Sequence, residues 1–386
     1  MAKILVENLY KIFGDHPEQA LKLLREGCSK DEILEKTKQT VGINNVSLAV
    51  NEGEIFVLMG LSGSGKSTLL RCLNRLIEPT SGRIVLDGRE ITHVDEAELR
   101  EIRRKRLGMV FQRFALFPHR TVLDNVAYGL EVQGVNRQER SEKARAVLEL
   151  VGLKGWEDYY PANLSGGMQQ RVGLARALVS DPDVLLMDEP FSALDPLIRR
   201  DMQDELLSLQ SQVNKTIVFV THDLDEALKL GDRIALMKDG AIVQLGTPEE
   251  ILTRPADDYV RRFVEDVDMP RVLTVEEVMK PAEAVALRDD PGVALRRMRE
   301  LGLSSVFVVT RDRKLAGLVT ADDALVAAGR NEEDLSGILI QDFPRTAPGT
   351  SVSEIILVLA DSRFPVAVVH EDGRLLGTVG QVQACL

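Results

Sequence analysis

A glycine-rich stretch at residues 60–68 combines the residue types and the spacing that bind a polyphosphate. It reads GLSGSGKST, which fits the pattern GxxxxGK[ST], and it lies between an apolar run at 55–59 and a run of helical spacing at 69–73. Glycines leave backbone N–H groups free to surround phosphate oxygens, and the N-terminus of the following helix adds partial positive charge. Lys66 can reach the terminal phosphates, and the Ser67 hydroxyl can coordinate Mg²⁺. A chance glycine-rich turn is the alternative, and the flanking strand and helix argue against it. The predicted nucleoside triphosphate site comprises Gly60, Ser62, Gly63, Ser64, Gly65, Lys66, Ser67 and Thr68.

Two carboxylates follow another apolar run and supply chemistry that the phosphate loop lacks. Asp188 and Glu189 end the run at 184–187. The carboxyl ends of parallel strands share one edge of a sheet, so both acids are predicted to lie near the phosphate loop. Asp188 can bind Mg²⁺ through water, and Glu189 can polarise a water for attack on the γ-phosphate. In isolation such a pair is more often a surface feature, and the phosphate loop favours the functional interpretation.

His222 ends a further apolar run at 216–221. A single histidine at a strand end is more often structural than catalytic. Because this strand is predicted to end at the same sheet edge as the carboxylates, we expect His222 to contact the γ-phosphate.

The alternation of apolar runs and helical periods around the phosphate loop predicts an α/β fold with a parallel sheet. A hairpin is predicted at 83–91, and a helical stretch at 17–39 contains a capping-box pattern from Ser29 to Glu32. Helical periodicity also fills 121–180. The predicted strands are 3–9, 46–50, 107–111, 184–187 and 216–220. The predicted helices include 95–106 and 196–213.

Length and charge limit the possible classes of protein. A chain of 386 residues is expected to form at least two domains, and its net charge of −12 argues against a general nucleic-acid-binding role. The three cysteines show no metal-ligand or CxxC spacing, which indicates a reducing compartment. Neither a signal-peptide core nor an apolar run approaching the roughly 20 residues of a membrane helix is found. Any membrane role is therefore expected to depend on a partner chain.

The C-terminal part contains an internal duplication. Residues 306–320 recur at 366–380, and a predicted helix precedes each copy, at 291–302 and 351–361. We expect the two copies to pair and to share a core. The stretch 255–271 is the predicted junction with the N-terminal part.

Several motifs together resemble those of ATP-binding cassette (ABC) proteins. Residues 164–170, LSGGMQQ, resemble the family's signature sequence, 192–195 resemble its D-loop, and Gln112 resembles the Q-loop glutamine. The resemblance covers about 5–250. It implies a P-loop NTPase domain at 1–265, with a RecA-like core and a helical subdomain at about 113–180.

The resemblance also assigns roles to residues outside the phosphate loop. In the family, two cassettes pair head-to-tail, so Ser165, Gly166 and Gly167 are expected to hold the γ-phosphate bound to a second copy. Gln112 is expected to contact Mg²⁺ or the attacking water, and Asp195 to link the two sites. Phe13 lies where the family's adenine-stacking aromatic falls, although Tyr10 is an alternative and both side chains can instead pack in the core.

Three features resemble one subgroup, the ATPase subunits of importers for glycine betaine, proline betaine and related osmoprotectants. They are the long insert at 15–40 and the runs at 53–68 and 75–80. Members also carry a C-terminal pair of cystathionine-β-synthase (CBS) modules, which 272–386 resembles, with repeats at about 272–330 and 338–386. The resemblance implies ATP and Mg²⁺ as cofactors, a transmembrane permease and an extracytoplasmic substrate-binding protein as partners, and a peripheral place on the cytoplasmic face of the inner membrane. The segment 114–122 is expected near the docked permease. An importer of another solute, or a sensor not dedicated to transport, remains an alternative.

CBS pairs often bind adenine nucleotides through a Gly-x-x-Thr-x-x-Asp pattern. The first copy carries Gly317, Thr320 and Asp323, although Thr320 is equally suited to cap a helix. The corresponding positions of the second copy are Gly377, Gly380 and Gln383. Three arginines at 296, 297 and 299 form a basic patch, which is either merely solvated or an ionic-strength sensor.

Overall fold

The chain divides into two compact units, Met1–Val267 and Asp268–Leu386. The computed structural model describes residues 2–112, 114–265, 274–330 and 332–380. None of the helices in those ranges combines the length and the apolar character needed to cross a membrane.

A six-stranded sheet forms the centre of the first unit, with the strand order β10-β9-β3-β8-β7-β6. Every residue of β3, β7 and β8 is buried, as expected for mainly apolar strands in the middle of a parallel sheet. In the parallel register, Met59 pairs with Thr221, and Asp188 pairs with Val220. The phosphate loop, the two carboxylates and His222 therefore begin at one edge of the sheet. The strands are β3 (Ile55–Met59), β6 (Leu107–Val110), β7 (Val184–Asp188), β8 (Thr216–Thr221), β9 (Arg233–Lys238) and β10 (Ala241–Gly246).

An antiparallel sheet with the order β2-β1-β4-β5 lies in the same unit. Its apolar residues share one buried cluster with β3, β7 and β8, so the two sheets have a common core. The strands are β1 (Ala2–Phe13), β2 (Thr40–Asn51), β4 (Ser81–Leu86) and β5 (Arg89–Glu90). The predicted hairpin at 83–91 is confirmed, since Asp87 and Gly88 adopt positive φ between β4 and β5.

The helices of the first unit connect these strands. Three of them, α5, α6 and α7, follow one another between β6 and β7, which agrees with the predicted helical stretch at 121–180. The helices are α1 (Pro17–Arg25), α2 (Lys30–Thr37), α3 (Lys66–Leu73), α4 (Glu96–Lys105), α5 (Val122–Val132), α6 (Arg137–Leu150), α7 (Gly166–Leu178), α8 (Pro196–Val213), α9 (Leu224–Leu230), α10 (Pro248–Thr253) and α11 (Asp258–Val264).

The predicted bounds of two strands were wrong. The strands β1 and β2 are longer than the predicted 3–9 and 46–50, because they pair with each other through several register shifts that accommodate Asn8 and Asn45 at positive φ. The predicted helical stretch at 17–39 consists of two helices, because Gly27 at φ +90 ends the first. The predicted capping box does begin α2: the Ser29 N–H donates to Glu32 Oε2 at 2.7 Å.

The second unit contains two three-stranded sheets of the same topology, β11-β12-β13 and β14-β15-β16. In each, the first pair of strands is parallel and the second antiparallel. This confirms the internal duplication. The strands are β11 (Ala284–Ala286), β12 (Ser305–Val309), β13 (Leu315–Thr320), β14 (Arg345–Thr346), β15 (Val366–Val369) and β16 (Leu375–Val379). The helices are α12 (Val275–Val278), α13 (Pro291–Leu301), α14 (Ala321–Gly329) and α15 (Val352–Asp361).

The two copies contact each other at positions 60 residues apart. Lys314 pairs with Arg374, which is its own counterpart in the second copy. Leu318 pairs with Ile340, and the equivalent pair in the other direction is Thr378 with Lys280. Apolar residues from both copies form one cluster that includes Phe307 and Ala367. The predicted shared core is therefore present.

Candidate nucleotide site

The phosphate loop joins β3 to α3, and two of its glycines could not be replaced by another residue without a collision. A Cβ on Gly60 would strike the Met237 carbonyl oxygen, and one on Gly65, at φ +103, would lie 2.5 Å from the Gly42 carbonyl oxygen. The Lys66 ammonium donates to the carbonyl oxygens of Gly60 at 2.8 Å and Leu61 at 3.1 Å. Burial lowers the pKa of Lys66, although the carboxylates of Glu189 and Asp188 oppose this shift. The loop thus forms a tight turn around a buried cation.

One hydroxyl in this loop is buried without a hydrogen-bond partner among the described residues. Ser64 is 5% exposed, and its Oγ is unpaired. A buried unpaired polar atom is costly, and one in a glycine-rich loop above a helix N-terminus fits an incoming phosphate oxygen. The predicted polyphosphate site therefore agrees with the local chemistry.

Asp188 lies at the end of β7 and is almost completely buried. Its Oδ2 accepts a hydrogen bond from Arg71 at 3.0 Å. Arg71 lies one turn after Ser67 on α3, so both side chains emerge on one face of that helix. A hydroxyl and a carboxylate are oxygen ligands of the kind that Mg²⁺ prefers alongside phosphates. The described residues contain no group of three or more His, Cys, Asp or Glu side chains that could hold a metal ion. Ser67 and Gln112 line one groove beside the loop.

Glu189 is the centre of a small polar cluster. Its backbone has φ +46, an unusual conformation for glutamate, and its N–H donates to the Val220 carbonyl oxygen at 3.1 Å. Its Oε2 accepts from Gln112 Nε2 at 3.2 Å and lies 3.3 Å from His222 Nδ1. The structure therefore brings three predicted catalytic side chains together, because Gln112 and His222 both lie next to one carboxylate oxygen of Glu189. Gln112, Glu189 and Lys66 line one groove beside the phosphate loop.

A groove of about 540 Å³ opens above the loop. Phe13 borders it and Tyr10 does not, because the Tyr10 ring lies under Arg25 of α1 at 5.7 Å. Gly42 makes room for the Phe13 ring: a Cβ there would lie 2.7 Å from Phe13 Cε2 and 3.3 Å from Thr68 Cγ2. The groove is lined by Phe13, Lys30, Asp31, Leu34, Thr40, Val41, Gly42, Ser62, Gly63, Gly65, Lys66, Ser67, Thr68, Gln112 and Glu189.

The residues of the signature sequence do not line this groove. Ser165 caps the N-terminus of α7, and its Oγ accepts from the Met168 N–H at 3.3 Å. Ser165 and Gly166 are exposed, whereas a Cβ on Gly167 would lie 2.7 Å from Ile198 Cγ2. Asp195 caps α8 by accepting from the Ile198 N–H at 3.2 Å. Within one chain these groups are therefore structural caps whose outer faces remain accessible.

Arg71, Lys30, Asp31 and Leu34 were missed by the sequence interpretation. The spacing of Arg71 from Ser67 was a usable signal for the first of them. The other three lie on α2, and no local pattern connects that helix with a loop some 30 residues further along the chain.

The Gly-x-x-Thr-x-x-Asp pattern of the second unit has mainly local contacts. Thr320 caps α14: its Oγ1 accepts from the Asp323 N–H at 3.2 Å and donates to Asp323 Oδ2 at 2.6 Å. A Cβ on Gly317 would lie 3.1 Å from the Ile340 carbonyl oxygen, and one on Gly377 would lie 2.8 Å from that of Lys280. The helix-cap alternative for Thr320 is thus confirmed, and Gln383 lies outside the described residues. In the basic patch, Arg297 pairs with Glu283 at 2.7 Å.

Comparisons with known proteins bear on both units. The family model described as ABC transporter matches residues 43–192, and the model described as CBS domain matches residues 264–330. The chain is 58% identical to the glycine betaine transport ATP-binding protein OpuAA of Bacillus subtilis over 98% of this chain and 90% of that protein. It is 55% identical to the glycine betaine/carnitine transport ATP-binding protein GbuA of Listeria monocytogenes over 100% and 98% of the two chains. It is 49% identical to the glycine betaine/proline betaine transport system ATP-binding protein ProV of Salmonella typhimurium over 98% and 96%.

Among solved structures, the chain resembles a dimeric ATP-binding cassette in a post-hydrolysis state bound to ADP and Pi. The identity is 33% and the TM-score is 0.53, over 64% of this chain and 98% of that one. The fold of the first unit and the order of its motifs agree with this similarity.

Proposed function

We propose, on the premise that this chain belongs to the ABC transporter family, that it hydrolyses ATP to drive the import of glycine betaine, proline betaine or a related quaternary amine through a partner permease. Membership follows from the high identity to ATP-binding subunits along nearly the whole chain. An ABC ATP-binding subunit binds ATP and acts with a membrane permease. The observation that carries the proposed chemistry is the convergence of Gln112 and His222 on Glu189 beside the phosphate loop.

The residues divide the work of hydrolysis. The loop amides, Ser64 and Lys66 hold the phosphates, and a Mg²⁺ ion bound through Ser67 and Asp188 would neutralise charge on their oxygens. Glu189 orients the attacking water and accepts its proton, which typically contributes 10²–10⁴-fold to a rate. His222 and Gln112 hold Glu189 Oε2 in place and present N–H groups toward the γ-phosphate.

One chain forms half of a complete site. Ser165 and Gly166 are exposed at the N-terminus of α7, where N–H groups and the helix dipole attract a phosphate. In a head-to-tail pair, Ser165, Gly166 and Gly167 of a second copy complete the γ-phosphate site, and Asp195 lies near the boundary between the two. A monomer is therefore expected to bind ATP and to hydrolyse it slowly.

A basic groove on the first unit suits the permease. It is bordered by Arg100, Arg104 and Arg176, and apolar side chains such as Val132 line the rest. Arg176 donates to the carbonyl oxygens of Phe114 at 3.1 Å and Ala115 at 2.6 Å, so the groove adjoins the segment predicted to lie near the docked permease. An amphipathic permease helix with acidic residues fits this surface. Docking there places the subunit peripherally on the cytoplasmic face of the inner membrane.

Charge reversal tests this surface. The double variant Arg100→Glu/Arg104→Glu is expected to lose co-purification with the permease, whereas the exposed Lys143→Glu on α6 retains it. Retention by the double variant would contradict docking at this groove.

Uptake measurements test the function directly. Vesicles holding this subunit, its permease and its substrate-binding protein should accumulate labelled glycine betaine only with internal ATP. Competition by proline betaine, carnitine and choline then identifies the preferred solute, and preference for an unrelated solute would favour the alternative importer.

Scanning internal salt tests regulation by the second unit: neutralising Arg296, Arg297 and Arg299 should shift the salt dependence of transport if the basic patch senses ionic strength.

A further inference from the structure

The insert between β1 and β2 borders the nucleotide groove, and the phosphate-site chemistry does not use it. Lys30, Asp31 and Leu34 of α2 line that groove together with Phe13. Leu34 is 46% exposed and Phe13 is 40% exposed, so two large apolar side chains are left partly uncovered there. Exposed apolar groups in a concave site are usual where a ligand covers them.

The position of α2 is fixed by the fold. Ile33 does not line the groove and is fully buried in a cluster with Ile12, Ala20 and Val41. Ile12 precedes Phe13, and Val41 precedes Gly42, which lies beside the Phe13 ring. One small core therefore sets the position of α2 relative to the aromatic ring.

Two charged side chains accompany Leu34. Lys30 begins α2 and Leu34 follows one turn later, so both lie on one helix face. Lys30 is half-buried, which lowers its pKa, while Asp239 and Asp31 favour its charged form. The groove thus offers an ammonium donor and a carboxylate acceptor beside an apolar surface.

We propose that α2 forms the second wall of the base site: the purine of ATP lies between Phe13 and Leu34, with Lys30 and Asp31 at its polar edge. This proposal rests on ATP being the ligand of the groove. The Phe13 ring stacks on the purine, and Leu34 covers apolar base surface that would otherwise face water. The Asp31 carboxylate accepts from the exocyclic amine of adenine and is repelled by the carbonyl oxygen that guanine has at that position.

Binding of two ligands by the full-length chain separates base contacts from phosphate contacts. Leu34→Ala is expected to raise the Kd for ATP about threefold to tenfold, and to leave the Kd for inorganic triphosphate unchanged. The control Leu76→Ala removes a leucine that is 51% exposed and does not line the groove, so neither Kd should change. Asp31→Asn is expected to reduce the preference for ATP over GTP several-fold.

Each contrary result has a definite meaning. An unchanged Kd for ATP in Leu34→Ala would contradict the proposal that α2 forms a wall of the base site. An equal rise of the Kd for ATP and the Kd for triphosphate would show that α2 acts only through the shape of the phosphate loop. An unchanged ATP-to-GTP preference in Asp31→Asn would overturn the role of the carboxylate. A wild-type chain that binds neither ligand would overturn the proposed function as well.

Discussion

The two units contain similar motif residues but use their polar atoms differently. In the first unit, the Ser64 hydroxyl is buried without a partner among the described residues, and Glu189, Gln112 and His222 meet beside an open groove. In the second unit, Thr320 and Asp323 bond to each other. A motif supports binding most strongly where its polar atoms are left for a ligand rather than paired with neighbours.

The glycines differ in the same way. Gly63, at φ +80, has open space around its Cβ position, which leaves room for a ligand. Gly377 instead makes room for the chain itself, because Met279 and Lys280 press against it. Glycine in a motif therefore indicates a close approach, and the structure decides whether a ligand or the backbone makes that approach.

The largest expected effect concerns the nucleotide site of the first unit. Glu189→Gln should reduce ATP hydrolysis at least about 100-fold because the water loses its base, while ATP binding persists. Turnover is measured by phosphate release and binding by calorimetry, with the exposed Glu249→Gln as the control. Turnover within a few-fold of wild type would contradict the assignment of Glu189, whereas transport surviving without turnover would favour the sensor alternative.

Replacing a motif glycine by alanine tests the packing of the second unit. Gly377→Ala should destabilise the second unit by about 1–3 kcal/mol, because its Cβ would meet Met279 Sδ at 2.7 Å and the Lys280 carbonyl oxygen at 2.8 Å. The matched variant Gly317→Ala should cost less, since its nearest neighbours are at 3.1 Å. Denaturant unfolding of the full chain measures both, and the Kd for ATP at the first unit should not change. An equal loss of unfolding free energy in the two variants would show that the two copies relax to the same packing.

Removing the helix cap gives a smaller effect. Thr320→Val should cost about 1 kcal/mol, because α14 loses its side-chain cap. The same variant, combined with Lys66→Ala to suppress the first site, tests whether the second unit binds AMP or ATP. If nucleotide binding to the second unit disappears with Thr320→Val, the contrast between the two units would be wrong, because Thr320 and Asp323 would then also bind a ligand.

The smallest expected effect concerns Glu226, which is buried on α9 just after His222. Its Oε1 accepts from Gln203 Nε2 at 3.2 Å, yet burial raises the pKa of Glu226. A raised carboxyl pKa means that the folded state binds the proton more tightly, so this contribution to stability is present below the unfolded pKa and is lost as pH rises through the folded pKa. The free energy of unfolding of Glu226→Gln, relative to that of the wild type, should therefore rise as the pH increases from 5 to 8. Thermal unfolding at both pH values measures the difference, and an advantage that shrinks with rising pH would contradict the shift.

The sequence predicts elements well where strong local signals bound them. The helix at 196–213 has its predicted limits, because Asp195 and Pro196 begin it and Asn214, at φ +46, ends it. The limits of β2 were missed because Asn44 and Asn45 look like a turn, and only pairing with β1 carries the strand past them. The positions of Arg71 and α2 beside the site were missed because their contacts join residues that are distant in the chain. Tertiary proximity, rather than composition, places them at the site.

The connection that carries α2 joins two neighbouring antiparallel strands, which belong to a different sheet from the phosphate loop. A segment in that place can lengthen, shorten or change its side chains without altering the parallel strands that hold the phosphate loop and the carboxylates. With α2 as the proposed wall of the base site, nucleotide preference could therefore diversify in evolution independently of the residues proposed for hydrolysis. For the same reason, a small molecule that occupies the face of α2 would distinguish this chain from cassettes in which that connection is short.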